Sequence, residues 1–202
     1  MRKIRLLLWA AVCVASIGAV AMMVALPRQP GVAFSDDPGA DAIRADFELT
    51  DQTGRVRTEE DFRGRWMLVF FGFTNCPDVC PTGLSTIGAA MDDLGDLAGE
   101  VQPMFVTVDP ARDTSERLAE YVAFFGEGIL GLRGTPVQLE RTTGAFKVYY
   151  ERIEDEGAPD GYTMGHTPAL LLFDDRGEFV RTFGHDASPE EIAGDLVQRI
   201  GA

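Results

Sequence analysis

Two cysteines separated by three residues, in Cys76-Pro77-Asp78-Val79-Cys80, are the side chains of this sequence best equipped for chemistry. They follow an apolar run of strand length, Trp66 to Phe71, and precede Pro81. Proline is tolerated at the first helical position and pushes the residue before it out of helical geometry. The pattern therefore predicts a strand, a tight loop holding Cys76, and a helix whose entrance holds Cys80. Unsatisfied N–H groups and the positive dipole end at such an entrance favour thiolate over thiol. Asp78 acts the other way, because its charge opposes a second anion nearby. A soft dithiol on a stiff loop suits a Cys76–Cys80 disulfide that opens and closes, or a soft metal such as Cu(I). A purely structural disulfide is the weaker reading. A loop this short contributes about 2 kcal/mol by chain entropy, against about 4.7 for a hundred-residue loop.

The elements that must position this pair can be read in order. Phe47–Thr50 and Arg55–Thr58 predict two short strands about Gly54, and Trp66–Phe71 a central strand buried on both faces. A helix should run from Pro81 to about Leu94, with Leu84, Ile87 and Met91 on one face. Val101–Val108 is the next strand, and Asp113-Thr114-Ser115-Glu116 has capping-box spacing for another helix. Ile129–Leu132 is a strand candidate. Thr135-Pro136-Val137-Gln138 starts a helix expected to reach about Tyr150. Glu151–Gly161 reads as a polar loop, Ala169–Phe173 and Glu178–Phe183 as a hairpin, and Ser188-Pro189 as the cap of a last helix to Ile200. This order predicts an α/β fold, a central mixed sheet flanked by helices.

The 202-residue chain begins Met1-Arg2-Lys3-Ile4-Arg5, followed by 21 uncharged, largely apolar residues from Leu6 to Leu26. That length spans a hydrocarbon core of roughly 30 Å as a helix. The basic cluster should stay in the cytoplasm. The expectation is a bacterial-type inner-membrane protein, single-pass, with a cytoplasmic N-terminus and a periplasmic functional domain. Residues 1–26 would be the anchor, 27–42 a Pro/Gly linker, and 43–202 the domain. Ala19-Val20-Ala21 offers the alternative of a cleaved signal peptide. Cys13, within the apolar run, reads as an ordinary apolar residue. Residues 1–30 hold four basic and no acidic side chains, so the remainder carries −18 against −14 for the whole chain. Such a charge argues against nucleic acid and anionic membrane surfaces as partners. Cys76 and Cys80 then lie in an oxidising compartment, and keeping them reduced requires an external thiol reductant.

The chain has two histidines, His166 and His185. His185, in Gly184-His185-Asp186 beside a helix cap, reads as a solvated loop residue. His166, in Met164-Gly165-His166-Thr167-Pro168, is either a satisfied polar residue or the borderline third ligand that a dithiol site lacks.

The segment Phe70-Phe71-Gly72-Phe73-Thr74-Asn75-Cys76-Pro77-Asp78-Val79-Cys80-Pro81, together with Val106-Thr107-Val108-Asp109-Pro110-Ala111-Arg112-Asp113-Thr114, resembles the Sco/SenC family of thioredoxin-like copper proteins. The likeness covers the chain from about Asp46 onward. It implies a thioredoxin-like fold, a membrane anchor, and a role in assembling the dinuclear copper centre of cytochrome c oxidase. It also implies one copper per chain, Cu(I) or Cu(II), held by Cys76, Cys80 and His166. Asp78 and Asp109 are implied as residues tuning the site from outside the ligand set. The sequence departs from the family pattern at Gly165 and Thr167-Pro168. These resemble the threonine–cis-proline that faces the dithiol in thioredoxins, and a cis Pro168 would turn His166 differently. The leading reading is a copper chaperone serving the copper-site subunit of the oxidase or another copper protein. The alternative is a thiol–disulfide oxidoreductase that reduces partner cysteines before metallation.

Overall fold

Residues Trp66–Gly72 form β3, the strand from which the core grows in this computed structural model, whose described residues are 42–201. The expected anchor, Cys13 and all but the last residue of the expected linker lie outside them. Among the described residues no helix is long and apolar enough to cross a membrane.

Successive side chains of a strand alternate between faces, and β3 is apolar on both. Phe70 faces α1 (Val79–Leu94), where a Cβ on Gly83 would stand 2.9 Å from its ring. Phe71 faces the other way and packs edge-on against Phe146, 5.3 Å between centroids, in α3 (Pro136–Phe146). Strand β4 (Val101–Thr107) pairs parallel to β3, and β5 (Leu130–Arg133) parallel to β4. Antiparallel strands complete the sheet: β1 (Glu48–Asp51) and β2 (Val56–Thr58) beyond β5, and β8 (Leu170–Phe173) and β9 (Phe179–Phe183) beyond β3. The order is β2-β1-β5-β4-β3-β8-β9, so β3 is interior. Helix α2 (Ser115–Ala123) lies on the Phe70 face through the Phe105–Tyr121 ring contact, and α4 (Pro189–Ile200) packs against α1 on that face. This is a thioredoxin-like α/β arrangement. The loops after β3 and β4 leave the carboxyl edge of the parallel strands side by side, the usual location of a site in such sheets. Val108 N–H donates to Gly72 C=O at 2.8 Å there.

Four expectations are corrected. Helix α1 starts at Val79, with Asp78 at the cap position, so Cys80 lies inside the first turn and Pro81 is the third helical residue. The cap of α2 is Thr114, whose side chain accepts Arg117 N–H, while Asp113 turns inward. Helix α3 ends at Phe146 because Lys147 adopts a left-handed conformation, φ 55°. The first four residues of the expected polar loop 151–161 are strand instead: β6 (Tyr150–Glu154) pairs antiparallel with β7 (Tyr162–His166), forming a separate two-stranded sheet, and 155–161 is the turn that joins them. Strand β6 is exposed along nearly its whole length, so it carries no apolar alternation to announce it.

Candidate metal centre

Cys76 and Cys80 meet across the first turn of α1. The Cys80 N–H donates to Cys76 Sγ at 3.4 Å, and the Asp78 backbone N–H is also directed at that sulfur. Neither cysteine is in a disulfide in this structure; Cys76 is half-buried and Cys80 fully buried. The two sulfurs differ in charge as well as exposure. A hydrogen bond from the Cys80 thiol pulls Cys76 down to about 4 against the opposing effect of burial, with further help from the two backbone N–H groups. Cys80 is pushed far up because its proton is held against Cys76, because it is buried, and because a Cys76 thiolate repels a second anion. Near neutral pH the pair is one thiolate, Cys76, and one thiol, Cys80.

His166 closes β7 and brings the third donor. Its Nε2 lies 3.3 Å from Cys80 Sγ and its Nδ1 lies 3.2 Å from the Thr167 carbonyl. A carbonyl oxygen can only accept, so Nδ1 carries a hydrogen, and in the neutral ring the Nε2 lone pair faces the sulfurs. The edges of Phe70 and Phe73 stand nearly perpendicular to the ring, at 6.2 and 5.9 Å, and limit its rotation. The single Cys80 hydrogen thus has two acceptors, the Cys76 thiolate and His166 Nε2. All three donor atoms lie within 4.8 Å of one another, and they form the one cluster of three such side chains among the described residues. Two sulfurs and an imidazole lone pair make a soft set with one borderline member, suited to copper in either oxidation state.

The remaining predicted residues take other places. The Asp78 side chain is exposed and makes no cap hydrogen bond; its backbone N–H is what faces Cys76. Asp109 is buried and ion-paired with Arg112, and it accepts a hydrogen bond from the Tyr162 hydroxyl at 3.0 Å. The peptide bond before Pro168 is trans, like every peptide bond among the described residues, so the cis geometry that would have turned His166 does not arise. Thr167 instead extends the hairpin, its N–H donating to Tyr149 C=O at 3.0 Å. His185 lies in the exposed turn between β9 and α4 and is not brought to the cluster.

Three supporting residues escaped sequence reasoning. Asp113, fully buried, accepts from Thr74 N–H at 3.1 Å, Thr74 Oγ1 at 2.6 Å and Thr107 Oγ1 at 2.5 Å, tying the cysteine loop to the end of β4. Burial raises its carboxyl despite these donors. Two adjacent cap candidates, Asp113 and Thr114, were the available signal, since a helix needs only one. Gly72 leaves room for the site: a Cβ there would stand 2.8 Å from Cys80 Sγ and 2.7 Å from the Phe105 ring. The Tyr121 hydroxyl is buried with no hydrogen-bond partner among the described residues, and burial, then the charge of the cysteine pair, disfavours its ionisation.

Comparison with known proteins agrees with this arrangement. The family model described as SCO1/SenC matches residues 35–201. A SCO2-like protein of Rickettsia felis is 37% identical over 150 residues, covering 74% of this chain and 73% of that protein. The copper-bound structure of Bradyrhizobium japonicum ScoI is 38% identical, with a TM-score of 0.72 over 78% of this chain and 99% of that one. Copper-bound Arabidopsis thaliana ScoI gives 33% identity and a TM-score of 0.74, over 79% of this chain and 99% of the other. A match across most of the chain, by a family model and by relatives above 30% identity, means that this chain belongs to the SCO1/SenC family.

Proposed function

We propose that the domain is a copper carrier that binds one ion through Cys76, Cys80 and His166 and passes it to the dinuclear copper site of cytochrome c oxidase. The observation that carries this reading is the His166 ring, with Nδ1 committed to Thr167 and Nε2 at 3.3 Å from Cys80 Sγ. With Nδ1 so committed, Nε2 is left to share an ion with the two sulfurs once the Cys80 hydrogen is displaced, all three donors lying within 4.8 Å of one another. The copper named in the descriptions of the Bradyrhizobium and Arabidopsis structures supports the choice of metal. Binding replaces the Cys80 proton, and transfer proceeds by stepwise exchange of these ligands for the sulfurs of the recipient. The half-exposed Cys76 is the sulfur an incoming protein can approach, and Cys80 and His166 hold the ion while that exchange begins. The basic residues Arg2, Lys3 and Arg5 and the apolar run 6–26 support tethering at the bacterial inner membrane, with the domain on the periplasmic side.

A second reading, thiol–disulfide exchange with the same recipient, is favoured by the asymmetry of the pair. Cys76 thiolate attacks a partner disulfide, and one partner sulfur leaves as thiolate. Cys80, its proton passing to His166 Nε2, then attacks Cys76 Sγ and releases the partner dithiol. Two electrons pass to the partner, and an external thiol reductant restores the pair. Anaerobic Cu(I) titration of the reduced full-length chain separates the readings. The carrier takes up one ion per chain, and Cys76→Ser or Cys80→Ser abolishes tight uptake. A chain that takes up no copper yet exchanges rapidly with a partner disulfide would be the exchanger alone.

A further inference from the structure

His166 is carried by a hairpin that pairs with no strand of the main sheet. Something other than the β-ladder must hold it on the cysteine loop. Tyr162, the first residue of β7, is 6% exposed. Its hydroxyl donates to buried Asp109 at 3.0 Å, and its carbonyl accepts from Arg112 Nη1 at 3.1 Å. The guanidinium carbon of Arg112 stands 3.7 Å from the centre of the Tyr162 ring, and that of Arg152, from β6, 3.8 Å from the same point. Two planar cations this close to one centroid must occupy opposite faces. The ring is therefore clamped, with Arg112 contributed by the loop after β4 and Arg152 by the hairpin itself. Side chains two apart on a strand share a face, so Tyr162, Met164 and His166 point the same way, and Met164 packs on the core. Four residues of strand span roughly 13 Å. A clamp on Tyr162 fixes one end of a short stiff rod whose other end is the imidazole.

We infer that Tyr162, held by Asp109, Arg112 and Arg152, is a positioning residue for His166, and that this clamp sets whether the site offers two sulfurs and a nitrogen or two sulfurs alone. The inference rests on the copper reading of the site for its consequence, but its geometric part stands without metal. Losing the clamp lets the hairpin tip leave the sulfurs. Cu(II), which depends more on the imidazole than Cu(I) does, is affected first. If His166 is then in place about a tenth of the time, apparent Cu(II) affinity falls about tenfold. Cu(I), satisfied by the two sulfurs, is left nearly unchanged by the same arithmetic, because its competent fraction does not depend on the imidazole.

The test uses the full-length chain with Tyr162→Phe, which keeps the stack and loses the hydroxyl, and Tyr162→Leu, which loses both. In the metal-free reduced protein, nitrogen NMR of the His166 ring reads the tautomer. The wild type should show one Nδ1–H form and Tyr162→Leu a mixture, with Tyr162→Phe between. With copper, the Leu variant should lose the His166 nitrogen coupling in the Cu(II) electron paramagnetic resonance spectrum while retaining Cu(I). A single tautomer together with an unchanged Cu(II) spectrum in Tyr162→Leu overturns the clamp. A wild type that binds no copper overturns the carrier reading instead, and the metal-free tautomer measurement still decides the clamp. Should Tyr162→Leu not fold, Arg152→Ala removes one face of the clamp at a half-exposed position, 55% side-chain exposure. A shift of the same sign, about threefold in Cu(II) affinity, is expected there, and no shift overturns the proposal.

Discussion

Acidifying the reduced, metal-free protein should leave one cysteine reactive long after an ordinary thiol has gone silent. Cys76 ionises at about 4 in this structure, against about 8.5 for a free cysteine. At pH 5.5 about 97% of Cys76 is thiolate, compared with about 0.1% of a free thiol, a ratio of about 1,000. Nucleophilicity falls with basicity, with a Brønsted coefficient of about 0.45, so 4.5 units of depressed pKa cost about 100-fold per thiolate. Cys76 should therefore alkylate about ten times faster than a free thiol at pH 5.5. Between pH 5.5 and 8 its rate should stay nearly flat, while the free thiol gains about tenfold per pH unit until it ionises. The assay is iodoacetamide labelling of the reduced chain across this range, with mass spectrometry to locate the label. Of the Cys76–Cys80 pair, only Cys76 is expected to take the label in the native state, and Cys80 only after unfolding. A rate that climbs tenfold per unit from pH 5.5, or first labelling at Cys80, would refute the thiolate assignment and the hydrogen-bond arrangement behind it.

Three further outcomes follow from the same geometry. Copper(I) binding near pH 7 should release about one proton per ion rather than the two of an unstructured dithiol, because Cys76 has already given up its own; calorimetry in buffers of different ionisation enthalpy counts it. Gly72→Ala forces a methyl into the Phe105 ring and Cys80 Sγ. It should destabilise the reduced fold by about 1–3 kcal/mol in urea unfolding and weaken copper uptake. Asp113→Ala strands the buried Thr107 hydroxyl and leaves the half-buried Thr74 donors unpaired. It should cost about 2 kcal/mol by thermal unfolding and loosen the cysteine loop, seen as faster amide exchange at Thr74 and Cys76.

What could be read without coordinates follows a physical line. Strand β3 was legible because it is buried on both faces and therefore continuously apolar, and α4 because Ser188 and Pro189 mark its start by local chemistry alone. The chemical character of Cys76 and Cys80 was legible for the same reason: strand, loop, proline and sulfur spacing are all local. The end of helix α3 carries no local signal, because Lys147 takes the left-handed cap without the glycine or asparagine that usually marks it. Strand β6 is invisible in the sequence because solvent bathes it, and a strand without a buried face has no alternation. The supports of the site were the least visible. Tyr162 finds Asp109 across 53 positions, Thr74 finds Asp113 across 39, and His166 meets Cys80 across 86. Pairings that long are properties of the folded sheet, not of any window of sequence. The residues alone left His166 open between ligand and satisfied side chain, and only the resemblance to a family pointed to it as a ligand before the geometry did.

X-ray absorption of the copper-loaded, full-length chain tests the central claim most directly. The expected first coordination sphere contains two sulfurs and one imidazole nitrogen for Cu(II), with the nitrogen absent in His166→Ala. A Cu(II) sphere of sulfurs alone, or one that His166→Ala leaves unchanged, would contradict it.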